Sequence, residues 1–307
     1  MADARRAIAV FLASCGALSL LAIEVPLGLD RFVPTPAHNP LRPAAVARGK
    51  ELFFDKRLSR DGSIACATCH KPELAFSDEN AVAIGIAGRQ GNRRTPRLAN
   101  RAWGKSFFWD GRAKTLEEQV IGPIGNSLEM DLDPTEAARR VGLSLPELQS
   151  ALASYVRTIF SGDSKYDRYL AGDAGALSGE EKRGLELFRG KAGCATCHLG
   201  PLLTDEEYHV TGAGAAEDAG RFQVTQQEDD RGAFKTPSLR DVARTPPYMH
   251  DGSLANLDDV LRFYQEGGKA RNNLDPEMRK LNLSEAELQS LKAFLLALNG
   301  RLSDGLR

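Results

Sequence analysis

The sequence lacks a charge of either sign to spare. Its 40 basic and 41 acidic residues leave a formal charge of -1, so it has no electrostatic footprint for nucleic acid or an anionic membrane surface. Long apolar runs are missing too, with one exception. Behind the lead "MADARR", Ala7–Ile23 runs seventeen residues without a charge. A positive start and an apolar stretch read as an export signal, or as a retained N-terminal anchor at the lower length limit for a spanning helix. No small-residue cleavage site follows, and "LASC" at Leu12–Cys15 is succeeded by further apolar residues. Strand-like alternation is scarce, with "RFQVTQQ" at 221–227 the one weak instance. Histidine and cysteine are rare, at five each.

Four of the five cysteines sit in two copies of one pentapeptide, "CATCH", at Cys66–His70 and Cys194–His198. The surroundings repeat as well. Arg48, Gly49, Glu51, Leu52 and Phe53 match Arg183, Gly184, Glu186, Leu187 and Phe188, and the first copy holds seven extra residues before its first Cys. Downstream, "LSLPELQSALASYVRTIF" from Leu143 resembles "LNLSEAELQSLKAFLLALNG" from Leu281. "SGEE" at 178–181 and "SEAE" at 284–287 read as capping boxes, and Leu288, Leu291, Phe294, Leu295 and Leu298 recur at helical spacing. The fold class is therefore mainly α, with long Gly- and Pro-rich loops, in two related domains. The expected division is 1–30 signal or anchor, 31–165 N-terminal domain and 166–307 C-terminal domain, split in the Gly, Ser and Asp cluster at 162–177.

C-x-x-C-H is the attachment signature of c-type haem. Two thiols, Cys66 with Cys69 or Cys194 with Cys197, add to the two vinyl groups, and the next residue, His70 or His198, supplies an imidazole to the iron. Zinc sites built from two C-x-x-C pairs keep them about 15–20 residues apart, whereas 124 residues separate Cys69 from Cys194. A thioredoxin-like disulfide leaves the His after each pair unexplained. The sixth iron position decides function, since an open one binds peroxide or oxygen and a filled one carries electrons. Beyond His70 and His198, only His38, His209 and His250 remain as histidine candidates.

Over residues 40–300 the chain resembles the bacterial di-haem cytochrome c peroxidases and their MauG-type relatives. The resemblance rests on "LFFDKRLSRDGSIACATCH", "FFWDGRAKTLEEQVIGPIGNSLEM" and "FKTPSLRDVARTPPYMHDGSLANLDDVLRFYQEGG". It implies two cytochrome c-like domains, each binding one covalent c-type haem, with a peroxide-reacting N-terminal haem and a C-terminal haem that relays electrons. Residue by residue it implies Trp109 as the relay between haems, Glu129 as the acid–base catalyst and Gln119 as the group orienting peroxide, with Pro123 beside them. In many family peroxidases a second histidine caps the peroxide haem sixteen residues after the first; here that position is Ile86, so no protein ligand is expected there. At the C-terminal haem the methionine of family peroxidases is replaced by Tyr264, as in MauG-type enzymes, with Met249 the rival ligand. A phenolate is a hard, anionic donor that stabilises oxidised iron.

The resemblance also implies a Ca²⁺ ion between the haems, on backbone oxygens of Thr245 and Pro247 and an Asn side chain before Pro96. Arg94 stands where that Asn belongs, so Asn92 shifts in, the ion is missing, or the arginine replaces its charge. His209 and His250 are expected as pocket histidines bonding a propionate or backbone oxygens, and His38 as exposed. The implied activity is a periplasmic peroxidase taking hydrogen peroxide and electrons from a small cytochrome c. The alternative is a MauG-type enzyme that oxidises side chains of a partner protein, with both oxidising equivalents shared over the two haems. A di-haem electron carrier is the remaining reading.

Overall fold

The computed structural model describes residues 23–306; the apolar stretch up to Ala22, with its export or anchor reading and Cys15, lies outside the described residues. Among the described residues no helix is long and apolar enough to cross a membrane. The described residues are helix-rich, with four strands of two or three residues. "RFQVTQQ" is not a strand: Phe222–Thr225 forms a helical turn. Its alternation is too short to bury a face, and Gln226 adopts a left-handed conformation (φ 58°) that ends the turn.

Two large apolar cores form, one from residues between Val46 and Ile159 and one from residues between Tyr166 and Leu298, beside a small cluster of Leu29, Val33 and Phe160. Each is built on one helix pair, Pro43–Phe53 with Leu145–Val156 and Gly179–Arg189 with Glu285–Leu296. The repeated glycines explain the close crossings. A Cβ on Gly49 would lie 1.9 Å from the Ala151 carbonyl oxygen, and one on Gly184 would lie 1.9 Å from that of Ser290. Only hydrogen lets the backbones approach so far. Both capping boxes are present, at Ser178/Glu181 and Ser284/Glu287, and Leu288, Leu291, Phe294, Leu295 and Leu298 are all buried.

The 162–177 segment is more than a linker. Ser164 caps a helix at Lys165–Leu170, and Tyr166 packs into the second core. The chain end then returns to the first half. Phe160–Gly162 pairs antiparallel with Arg301–Ser303, and the Tyr155 hydroxyl donates to Asp304 at 2.7 Å.

A second repeat governs the loops. "RTP" at 94–96 and "KTP" at 235–237, "FFWDGRA" at 107–113 and "YMHDGSL" at 248–254, and "TLEE" and "NLDD" thereafter are all offset by 141 residues. Their geometry repeats too. Phe107 bridges Ala113 as Tyr248 bridges Leu254. Phe108 (φ 66°) matches Met249 (φ 70°), and Gly111 (φ 70°) matches Gly252 (φ 66°). Thr115 caps the Leu116–Gln119 helix through the Glu118 amide as Asn256 caps Leu257–Gln265 through that of Asp259. Trp109 and His250 are thus equivalent positions, as are Arg94 and Lys235, and Pro123 and Tyr264.

Candidate active site

Each CATCH segment folds into a tight helical turn in which the histidine amide donates to the first cysteine carbonyl at 2.9 Å. The following loop then returns to the imidazole. His70 Nδ1 donates to the Phe76 carbonyl at 2.9 Å and His198 Nδ1 to that of Leu203 at 3.0 Å. Phe76 (φ 58°) and Leu203 (φ 54°) are both left-handed, a strained conformation held where it aims a carbonyl at a functional ring. With Nδ1 carrying the proton, Nε2 keeps its lone pair, as a metal-binding imidazole requires. Burial lowers both histidine pKa values, that of His198 to about 4, so both rings stay neutral. Burial also pushes the thiols up, Cys66 to about 12 and Cys69 and Cys194 to about 11.

These groups open on one continuous cavity of about 640 Å³. It is lined by Cys66, Cys69 and His70 at one end and by Cys194, Cys197 and His198 at the other, with Trp109 also on its wall. Paired thiols beside an imidazole with a free Nε2, twice, fit two covalently held haems.

Trp109 is fixed by partners from both halves. Its Nε1–H donates to the Arg94 carbonyl at 2.8 Å, and its own carbonyl accepts the Lys235 amide at 2.9 Å. Its indole meets the His250 ring edge-on at 6.4 Å. Below it, the buried Asp110 carboxylate accepts Arg93 Nη1 at 2.6 Å, and Arg93 grips Asp218 with two further bonds.

Gln119 and Glu129 both reach the cavity, as does Pro123. Gln119 ends the short Leu116–Gln119 helix, whose other face is pinned by a buried ion pair. Arg157 donates to both Glu117 oxygens at 2.7 and 2.8 Å, and Asn39 Nδ2 adds a third bond at 2.7 Å. Glu129 Oε1 accepts Asn126 Nδ2 at 2.7 Å. Burial raises the Glu129 pKa, against the opposing pull of Asn126 and Arg112.

Ile86 is buried, but it is Ile84 and Gly85 that line the cavity. The Ile86 amide donates to the Glu129 carbonyl at 2.8 Å, so this strand of loop serves as a backrest for the glutamate. At the other end Tyr264 lines the cavity without a hydrogen-bond partner for its hydroxyl among the described residues. Burial, with Cys194 and Cys197 beside it, raises its pKa. Met249 is also on the wall. The 141-residue offset sets Tyr264 against Pro123: one half offers the cavity a phenol at this position, and the other a ring with no donor atom.

The remaining histidines differ in part from expectation. His38 is exposed. His209 and His250 both line the cavity, as expected, but the His209 ring bonds carboxylates rather than a backbone oxygen: Nδ1 contacts Asp275 at 2.6 Å and Nε2 contacts Asp205 at 2.9 Å. Cys197 first, then these carboxylates, raise its pKa to about 10. The His250 ring makes no hydrogen bond to the described chain; it stacks on Phe234 at 3.5 Å. Thr245 and Pro247 line the cavity, but the nearby Pro246 carbonyl accepts Arg94 Nη2 at 3.0 Å, and the Asp78 carbonyl accepts the same nitrogen at 2.6 Å. A Ca²⁺ ion, which needs six to eight oxygens, does not fit beside a buried guanidinium. The reading from sequence missed Asn126, the Asn39–Glu117–Arg157 cluster and the Arg94–Lys235 equivalence. Only the last left a signal, in the shared "TP" and "DG" pairs.

The family model described as di-haem cytochrome c peroxidase matches residues 43–175. The methylamine utilization protein MauG of Methylorubrum extorquens is 43% identical over 296 residues, covering 90% of this chain and 84% of that protein. The cytochrome c551 peroxidase of Nitrosomonas europaea is 34% identical over 294 residues, covering 88% and 84%. Among solved structures, a MauG-like protein associated with microbial copper homeostasis superposes with a TM-score of 0.83 at 32% identity, over 89% of this chain and 95% of that one. The chain belongs to the di-haem cytochrome c peroxidase and MauG family of oxidoreductases.

Proposed function

We propose that this protein is a periplasmic di-haem peroxidase, with one haem held by Cys66, Cys69 and His70 in the first half and the other by Cys194, Cys197 and His198 in the second. The single observation that carries this reading is the divergence of the two halves at equivalent positions, Pro123 against Tyr264, on a cavity that also receives Gln119 and Glu129. Bound there, haem iron supplies the peroxide-binding centre at one end and an electron store at the other. Gln119 orients peroxide by hydrogen bonding. Glu129 takes the proton from one peroxide oxygen and returns it to the other, so that the O–O bond breaks with water as the leaving group. Such positioned proton transfer is worth about 10²–10⁴-fold. The balance is H₂O₂ + 2e⁻ + 2H⁺ → 2H₂O, with the electrons arriving singly through Tyr264's end of the cavity and past Trp109. The seventeen-residue apolar lead and covalent haem attachment both support export.

Two electron sources are consistent with this machinery. A small c-type cytochrome is the first. The second is a side chain of a partner protein, favoured by Tyr264 and by the 43% identity to MauG of Methylorubrum extorquens. The test is turnover of the holoprotein with peroxide and a reduced small cytochrome c. Steady oxidation of two cytochromes per peroxide supports the first source. Consumption of one equivalent of peroxide per chain, with the two oxidising equivalents retained by the holoprotein and no cytochrome oxidised, supports the second, and no peroxide consumption refutes both.

A further inference from the structure

Arg94 is 6% exposed, and among the described residues no carboxylate pairs with its guanidinium. Its Nη2 donates instead to two backbone carbonyls, Asp78 from the loop after His70 and Pro246 from the segment before His250. Its amide donates to the His250 carbonyl at 2.6 Å, and its own carbonyl holds the Trp109 indole. One residue therefore ties the His70 loop, the indole and the second half of the chain. Its equivalent, Lys235, also bonds across the junction, but with the Glu206 carboxylate 3.6 Å from its Nζ. Lys235 Nζ donates to the Ser106 carbonyl, its amide to the Trp109 carbonyl, and it is 8% exposed. The hydroxyls of Ser77 and Thr204 bond the carbonyls of Thr95 and Thr236 in the same pseudo-symmetric way. Converging carbonyl dipoles around a buried positive charge are what a cation site provides, and at Arg94 that charge belongs to the chain.

We propose that Arg94 is the built-in cation of the junction between the halves, that it takes the place of a Ca²⁺ ion there, and that it acts as the positioning residue for Trp109. The metal part stands on the guanidinium's geometry alone; the consequence for electron transfer rests on the function proposed above.

The experiment uses full-length holoprotein with both haems attached. Calcium is measured by mass spectrometry before and after dialysis against EGTA, and the indole N–H environment is read by ultraviolet resonance Raman in a Trp103→Phe background, which leaves Trp109 as the one indole of the two in the chain. The expected result is calcium well below one ion per chain and a Trp109 signature indifferent to EGTA. Arg94→Ala shifts that signature and added guanidinium ion restores it; electron exchange between the haems falls about 10- to 100-fold in the variant, the scale on which small misplacements act. One tightly held Ca²⁺ per chain whose removal alters the wild-type Trp109 signal overturns the proposal, and this arm decides the matter even if Arg94→Ala fails to fold. An unchanged Trp109 signature or electron-exchange rate in a folded Arg94→Ala overturns the positioning role. The calcium and Raman measurements need no peroxide, so a protein inactive with peroxide leaves them standing.

Discussion

Replacing Glu129 with glutamine removes the proton acceptor and leaves its scaffold almost untouched. Gln offers an oxygen to Asn126 Nδ2, which now sits 2.7 Å from Glu129 Oε1, and the Ile86 amide still bonds the residue 129 carbonyl. The loss should therefore be chemical rather than structural. Removing positioned acid–base catalysis costs about 10²–10⁴-fold in rate, or about 2.7–5.4 kcal/mol at 1.36 kcal/mol per decade. The pH profile supplies an independent check. Burial raises the Glu129 pKa above its ordinary 4.5, so the acceptor form, and with it activity, is lost as pH falls through a value higher than that of an exposed glutamate. Glu129→Gln should abolish that acid limb. Asn126→Ala removes a bond that holds the pKa down, so it should move the limb to higher pH. Stability runs the opposite way. A carboxyl whose folded pKa is raised costs stability at pH above that value, so Glu129→Gln should melt no lower than wild type at pH 7. The assay is pre-steady-state reaction with peroxide across pH 5–8. A variant within about threefold of wild type, with its acid limb intact, would refute the role of Glu129.

Trp109→Phe keeps an aromatic ring but loses the N–H bonded to Arg94; electron exchange between the haems, followed by flash photolysis, should slow at least about tenfold, or 1.36 kcal/mol in barrier, and an unchanged rate would remove Trp109 from the path. Gly184→Ala drives a Cβ to 1.9 Å from the Ser290 carbonyl and should cost about 1–3 kcal/mol in urea unfolding, whereas Gly175→Ala, whose Cβ would meet only Asp173 at 3.4 Å, should stay within about 0.5 kcal/mol. Arg157→Ala strands the buried Glu117 carboxylate and should cost about 3–5 kcal/mol; a loss under about 1 kcal/mol would mean that Asn39 alone satisfies it.

What the sequence made legible was local. The CATCH turns, the capping boxes and the 3.6-residue stripe at Leu288–Leu298 all rest on residues within a few positions of one another, and each took the form its spacing implied. The cysteine–histidine sets could be named for the same reason. The groups that hold the site in shape were hidden because their partners lie far apart in the chain. Asn39 meets Glu117, Arg94 meets Pro246, and His209 meets Asp275, a pairing that no propionate-binding expectation for His209 anticipated. Ile86 shows the limit of counting along a loop: the count located the neighbourhood, but Ile84 and Gly85 face the cavity and Ile86 turns its amide to Glu129. The 141-residue repeat was present in the sequence throughout, yet only its shared left-handed residues and bridges make Pro123 and Tyr264 visible as counterparts.

The central claim is that the His70 end of the cavity is open to peroxide while the His198 end is closed by Tyr264. Stopped-flow mixing of the fully oxidised holoprotein with one equivalent of hydrogen peroxide tests it directly. The account predicts an immediate change in the haem absorption spectrum with no reductant present. A spectrum that stays still until one haem has been reduced would contradict it.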